Sequence, residues 1–411
     1  MPEQNAHRKP APLSGIRVAD FSWVIAGPYT TEHFAALGAE VIKIESSQRM
    51  DISRRIPPFA DGIAGEERSG HNHSYNRGKK SITLNLTNPE AQKLALEIVR
   101  RSHIVVENFS YGALEKFNLG YDQMRAVNPD IIFVTSSGLG RSGPYKRYVT
   151  WGPPLQAYAG VASITGQDGG PAQRSLGGMW ADHLSGLTAF FGAMVAIEAK
   201  ERHGIGQMVE YSMAEAVAAQ LPEAMVEYGC TGVAPGPRGN RDRFASPHGI
   251  FRAQGDDAWV AIAVLTDDDW LVFRDVVPGP EWWRSEGLLT LEGRLLREAA
   301  IAEVVADWTR DQTPAEAAAK LQAAGLSAGP VQTIYDIARD PLLDERNFFF
   351  AHDHPEVGYR RVCGLGWRVQ DWEPEPQRPP LLGEHNWEVF VEWLGLSPDE
   401  FAGLVANNAI V

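Results

Sequence analysis

Cysteine is scarce: Cys230 and Cys363 are the only two in 411 residues, and they lie far apart. That excludes a disulfide framework and any CxxC zinc module, and makes a reducing cytoplasm the simplest expectation. No run of about 18 apolar residues occurs, so no membrane span is expected. The opening stretch, MPEQNAHRKPAPLSG, is polar without an apolar centre. It predicts a loose tail rather than a secretory signal. Positive charge is also in deficit: 38 Lys and Arg against 52 Asp and Glu leave a net charge of -14. A nucleic-acid binder normally shows the opposite balance, and nothing in it favours anionic membranes. The common chemical signatures are missing too. There is no GxGxxG after the first apolar run and no GxxxxGKS/T loop, which argues against a standard dinucleotide fold or a P-loop NTPase. There is no GxSxG elbow and no HExxH. His71 and His73 form a lone HxH pair without further ligands, so no metal is expected.

The length predicts two or three packed units. Residues 16–21 (IRVADF) and 39–45 (AEVIKIE) predict short buried strands, separated by a helix over 30–37 that Gly38 closes. A second such unit runs from SITLNL at 81–86, through a helix opened by Asn88 and Pro89, to IVVENF at 104–109. A third adds a helix near 122–127 and the strand IIFVTSSG at 131–138. Alternating strands and helices indicate an α/β chain with a doubly wound, mostly parallel sheet. A long helix rich in small residues is expected over 183–200, then a strand at 207–213 and a helix at 214–229. The Gly-, Pro- and Arg-rich stretch 232–249 marks a linker or binding loop. The boundaries follow: a large domain over 1–230, a small one over 231–325, and a C-terminal segment over 326–411. The Pro-rich stretch 370–383 is expected to be extended.

The most suggestive stretch is GGMWADHLSGLTAFFGAMVA at 177–196, where Asp182 stands at the start of an apolar helix. Asp is a favoured N-cap, and the pattern alone fits that role. The other role is a reactive carboxylate beside backbone N–H groups able to hold an oxyanion.

Several motifs in order resemble the class III CoA-transferases. They are PLSGIRVADFSWVIAGPY at 12–29, LGAEVIKIE at 37–45, KKSITLNL at 79–86, VVENFSYGALEKFNLGY at 105–121 and SSGLGRSGPY at 136–145. ADHLSG at 181–186, GIGQMVEYSM at 204–213, LSAGPVQTIYDIARDPLL at 326–343 and PPLLGEH at 379–385 complete the set. The resemblance implies a Rossmann-like large domain built from both chain ends, a smaller α/β domain, and two chains interlocked as a dimer. It implies an enzyme that moves CoA between carboxylic acids with Asp182 as covalent nucleophile, and no cofactor beyond CoA itself. By matched position it assigns Val24, Ile25, Ala26, Leu84, Asn85, Leu86, Asn108, Phe109, Ser110 and Lys116 to the CoA site, and Trp151 is a further candidate there. Lys79 and Lys80 are phosphate candidates or solvated loop lysines.

This sequence departs from formyl-CoA transferase in places. Ser46 stands where that enzyme has a CoA-contacting arginine, and Trp151 and Gly152 replace a Tyr-Glu pair near the nucleophile. The region 238–249 is shorter and more basic than the corresponding glycine-run loop. Arg241, Arg243 and His248, with Arg238, either meet a second substrate carboxylate or form a solvated loop. The wording at 19–29 is closest to relatives that take CoA from succinyl-CoA, with malate, citramalate or benzylsuccinate as acceptors. Some relatives pair two different subunits, so the partner is either a second copy or a same-family chain. Two alternatives stay open: an acyl-CoA racemase, whose histidine segment reads TWGPPLQAY here with no histidine, and a catalytically silent subunit.

Overall fold

Short runs of Val and Ile, apolar on both faces, form the strands of one central sheet. The structure, a computed structural model, describes residues 9–173 and 179–411. The strands are β1 (Arg17–Asp20), β2 (Glu40–Glu45), β3 (Lys80–Thr83), β4 (Ile104–Glu107), β5 (Ile132–Ser137) and β6 (Met208–Ser212). They run in the order β3-β2-β1-β4-β5-β6, and every pairing is parallel. The order reverses between β1 and β4. In such sheets a crevice opens there, beyond the carboxyl ends of the strands.

The helices connect the strands: α1 (Ala26–Ala36), α2 (Gly70–Tyr75), α3 (Pro89–Arg100), α4 (Tyr121–Val127), α5 (Gly152–Tyr158) and α6 (Trp180–His203). Helix α3 forms as its sequence dictates. The Asn88 side chain accepts from Glu90 N, Pro89 fills the first turn, and Ala91, Leu94, Ala95, Ile98 and Val99 make one buried stripe. Helix α6 starts at Trp180, earlier than the expected 183, and ends at Gly204 with φ +69°. The helix expected over 214–229 is two helices, Met213–Ala218 and Pro222–Thr231, because Pro222 cannot continue the first.

The chain divides into two compact units. The larger holds the described residues up to Val161, those from Met179 to Val226, and Glu345–Val411; the smaller holds the described part of Ala162–Ser175 and Glu227–Asp344. In the larger unit the C-terminal segment covers the edge strand β3. His385 N donates to Ser81 O at 2.9 Å, and Asn386 exchanges two 2.8 Å hydrogen bonds with Thr83. The covered edge has no free backbone row to offer a foreign strand.

The smaller unit carries the antiparallel sheet β7 (His248–Arg252), β8 (Trp259–Ala263) and β9 (Ser327–Pro330). Its helices pack around Trp270, Phe273 and Trp283. Residues 327–344 fall in this unit, not in the C-terminal return, because β9 supplies the third strand (Ile262↔Ala328). Among the described residues no helix is long and apolar enough to cross a membrane.

Candidate active site

Strand β1 ends in a polar knot that sets the loop above it. Asp20 accepts from Lys79 Nζ at 3.0 Å and Thr31 Oγ1 at 2.6 Å, and from Ser22 N at 2.9 Å. Burial alone would raise the Asp20 carboxyl, but Lys79 and Lys43 hold it below its ordinary value. Lys43 Nζ donates to Ser22 O at 2.8 Å. Above this knot Val24 sits at φ +68°, a left-handed conformation that a β-branched residue adopts only under constraint. The constraint is Asp51, whose two carboxylate oxygens accept from Val24 N at 3.1 and 3.2 Å. Asn108, at the end of β4, clamps the other side. Its Oδ1 accepts from Trp23 N and its Nδ2 donates to Trp23 O, both at 2.8 Å. The two loops flanking the switch point are thereby locked together.

Beside them lies a cavity of about 470 Å³, lined by Leu84, Asn85, Leu86, Phe109 and Ser110, all assigned from the sequence. Trp23 and Arg49 also line it, and neither belonged to that assignment. The Trp23 ring meets Phe109 edge-on at 5.5 Å, and the Arg49 guanidinium stands 5.7 Å from the Trp23 ring centre. Arg49 follows Ser46 by three residues. A cation therefore enters the cavity wall even though Ser46 itself carries none.

Other assigned residues fall elsewhere. Lys79 is buried and committed to Asp20, Thr31, Asn76 and the Pro28 carbonyl. Burial pulls its ammonium down to about 8. It braces the fold and does not reach a phosphate, which corrects the phosphate assignment. Lys80 is half-buried between Glu40 and Glu388, each at 2.7 Å, so its charge is also taken. Lys116 is exposed on the turn Glu115–Phe117, while its neighbour Phe117 lines the cavity. Trp151 is exposed just ahead of α5. Arg241, Arg243 and His248 belong to the smaller unit. There Arg241 pairs with Asp168, Arg243 with Glu227, and His248 Nδ1 donates to Asn240 O at 2.8 Å. Each basic group thus has a partner inside its own unit.

Asp182 lies in the first turn of α6, but it does not cap the helix. Met179 is the N-cap residue, and no side chain makes the capping hydrogen bond. The glycines at 177 and 178, expected ahead of Asp182, lie outside the described residues. Burial raises the Asp182 carboxyl to about 6, only partly offset by its own backbone N–H. One turn on, Gly186 lets α1 pack close: a Cβ there would meet Ala26 O at 2.8 Å and the Tyr29 ring at 3.0 Å. Thr30 Oγ1 ties the same crossing by donating to Gly186 O at 3.0 Å. The loop at Val24, Ile25 and Ala26 therefore runs directly into α1, the helix that packs against the helix carrying Asp182. Replacing Gly186 by Val is expected to force this crossing apart at a cost of about 1–3 kcal/mol. A thermal melt and a transfer assay check it, with melting temperature and rate both lowered.

Around Asp182 stand residues that sequence reasoning missed. Tyr75, at the end of α2, bonds His183 Nε2 at 3.0 Å. Burial, and then the Asp182 charge, push the Tyr75 phenol up to about 12. Tyr29 meets the rings of both residues edge-on. Tyr75 and His183 are 108 positions apart, so no local pattern could have joined them.

A Rossmann-ordered sheet, a cavity at its switch point and a half-buried carboxylate on the adjoining helix agree with the comparisons. Residues 13–386 match CoA-transferase family III. The chain belongs to this family. It is 30% identical over 422 residues to succinyl-CoA–D-citramalate CoA-transferase of Chloroflexus aurantiacus, covering 99% of this chain and 100% of that protein. It is also 30% identical to the succinyl-CoA–L-malate CoA-transferase beta subunit of that organism, covering 97% and 98%. A solved CAIB/BAIF family protein from Brucella suis superposes with a TM-score of 0.84 at 26% identity, covering 93% of this chain and 100% of that one. As a family III CoA-transferase, the chain is an enzyme that transfers CoA.

Proposed function

We propose that this CoA-transferase moves CoA from succinyl-CoA to a hydroxylated or substituted dicarboxylic acid, of the malate, citramalate or benzylsuccinate kind, through covalent intermediates on Asp182. The observation that carries this reading is the Asp182 carboxyl: half-buried, free of any capping duty, and raised to about 6 by loss of water. A carboxylate stripped of solvent is a stronger nucleophile toward a thioester than one in water. The donor class follows from the two relatives, both named for succinyl-CoA.

The chemistry proceeds in balanced steps. An Asp182 oxygen attacks the donor carbonyl carbon; a C–O bond forms, the C–S bond breaks, and CoA leaves as thiolate. The result is a mixed aspartyl–acyl anhydride. The thiolate then attacks the aspartyl carbonyl, releases the donor acid as its carboxylate, and leaves CoA on Asp182 as a thioester. The acceptor carboxylate attacks that thioester, and the freed thiolate attacks the acceptor carbonyl. The new acyl-CoA departs and Asp182 is restored. The free energy of the thioester is kept only if water stays away. The small buried residues of α6 (Ala181, Ser185, Gly186, Ala189) allow the tight packing that excludes it. CoA is substrate, and the scheme needs no cofactor.

The adenine end of CoA is placed in the cavity between Trp23, Leu84–Leu86 and Phe109, with Arg49 toward its phosphates. Arg49→Ala is expected to raise KM for succinyl-CoA about tenfold, the loss of one charge-assisted contact. The kcat stays within twofold, as steady-state kinetics would show. An unchanged KM removes Arg49 from the site.

The functional assembly is proposed to be an interlocked dimer, of two copies or with a same-family chain. Helix α6 leaves Leu187, Phe191 and Val195 exposed at helical spacing, an apolar stripe that a partner would cover. A racemase needs a free base for the α-proton. His183, beside Asp182, has both ring nitrogens engaged, by Met179 O and by Tyr75. Incubating the purified protein with succinyl-CoA and a panel of dicarboxylic acids tests the reading. New acyl-CoA appears only with dicarboxylate acceptors; turnover with monocarboxylic acids alone would refute the substrate class.

A further inference from the structure

We propose that Tyr75, oriented by His183, is the hydrogen-bond donor that meets the acyl carbonyl oxygen as Asp182 attacks it. The inference rests on Asp182 being the nucleophile. It starts from the direction of two hydrogen bonds. His183 Nδ1 lies 2.7 Å from Met179 O. A carbonyl only accepts, so Nδ1 carries the ring proton, and Nε2 of the neutral ring presents a lone pair. Tyr75 Oη stands 3.0 Å from that Nε2, so the phenol donates to it.

This arrangement answers a problem at any carboxylate nucleophile. A donor placed against the resting carboxylate stabilises it and slows the attack. A donor is nevertheless needed once negative charge has moved to the acyl oxygen. Tyr75 is near enough for the Asp182 charge to act on its phenol, yet its proton is held by His183. As Asp182 gives up its charge and the oxyanion forms, the phenol finds a stronger acceptor and turns to it. The phenol keeps its proton throughout; only the hydrogen bond changes partner, and the oxyanion later collapses to expel thiolate. An interaction made in the transition state and withheld in the ground state is what raises kcat. Tyr29 fixes the geometry, with its ring centre 4.9 Å from His183 and 6.0 Å from Tyr75.

The test uses the full-length enzyme with succinyl-CoA and an accepted dicarboxylic acid. Tyr75→Phe is expected to lower kcat about 100-fold, the loss typical of one oxyanion donor, with KM for succinyl-CoA within threefold. His183→Leu removes the acceptor, so the phenol proton falls on Asp182. The acid limb of kcat against pH then moves below its native position, and His183→Gln, which keeps an acceptor, moves it back. A Tyr75→Phe enzyme within threefold of the native kcat overturns the donor role. An unmoved limb in His183→Leu overturns the part given to His183. Asp182→Asn in the same assay separates the failures. If Asp182→Asn is dead and Tyr75→Phe fully active, the donor alone is wrong; if both are active, the nucleophile is wrong and this proposal falls with it.

Discussion

Asp182→Asn is expected to lower kcat on the order of ten-thousand-fold, because an amide neither attacks a thioester nor carries CoA. The change is nearly isosteric and removes no helix cap, since Met179 holds that position. Affinity for succinyl-CoA is expected to stay within threefold. The pH profile follows from the same group. Its carboxyl is raised by burial to about 6, and only the anion attacks. The native rate is therefore level at high pH and falls as pH drops through about 6. The stability effect has the opposite sign. A carboxyl raised in the folded state favours folding while protonated, and that contribution is lost as pH rises through about 6. Asp182→Asn removes the cost of the buried anion, so its melting temperature is expected above native at pH 8 and equal to native at pH 4. Calorimetry at the two pH values checks this, and a gain in stability with loss of activity is the mark of a strained functional group.

The second large effect concerns stability beneath the cavity at the switch point. Arg54 is buried and grips Glu45 through Nε and Nη2, both at 2.9 Å. Glu67 takes its Nη1 at 2.6 Å, and Ser81 Oγ donates to Glu45 at 2.6 Å. Burial alone would raise Glu45, but Arg54 holds its carboxyl at about 2. Glu45→Ala leaves a buried guanidinium short of its main partner, at an expected cost of about 3–5 kcal/mol. Against a typical total of about 5–15 kcal/mol, much of the margin is gone. Because the folded carboxyl lies below its ordinary value of 4.5, its contribution is full above that pH and is lost as pH falls toward about 2. Native protein should therefore lose melting temperature as pH falls from 4.5 toward about 2, and Glu45→Gln should start lower and lose less. Since Glu45 and Arg49 both line the cavity, the weakened variant is also expected to bind CoA less well.

The sequence made legible whatever local chemistry decides. The Val- and Ile-rich runs became β1, β2, β4 and β5, and Asn88 with Pro89 opened α3 as their capping preferences require. Thr313, Pro314 and Glu316 form a capping box that their local spacing alone dictates. The ADHLSG motif singles out Asp182, but its place within α6 is not legible locally, because helix starts shift by a turn without changing the pattern. What stayed hidden depends on long-range pairing. Lys79 looks like a surface lysine until Asp20, 59 residues away, is seen to take it into the core. Asp51 bending Val24, Asn108 clamping Trp23, and Tyr75 meeting His183 are likewise products of topology. Arg49 belongs to no motif, and only the fold brings it into the same wall as Ser46, three positions earlier.

The most direct measurement is to capture the covalent enzyme. Native protein incubated with succinyl-CoA alone, then treated with hydroxylamine and digested, should yield one modified peptide, with the hydroxamate on Asp182. Finding the label on another carboxylate, or none on Asp182 in protein that is turning over, would contradict the account.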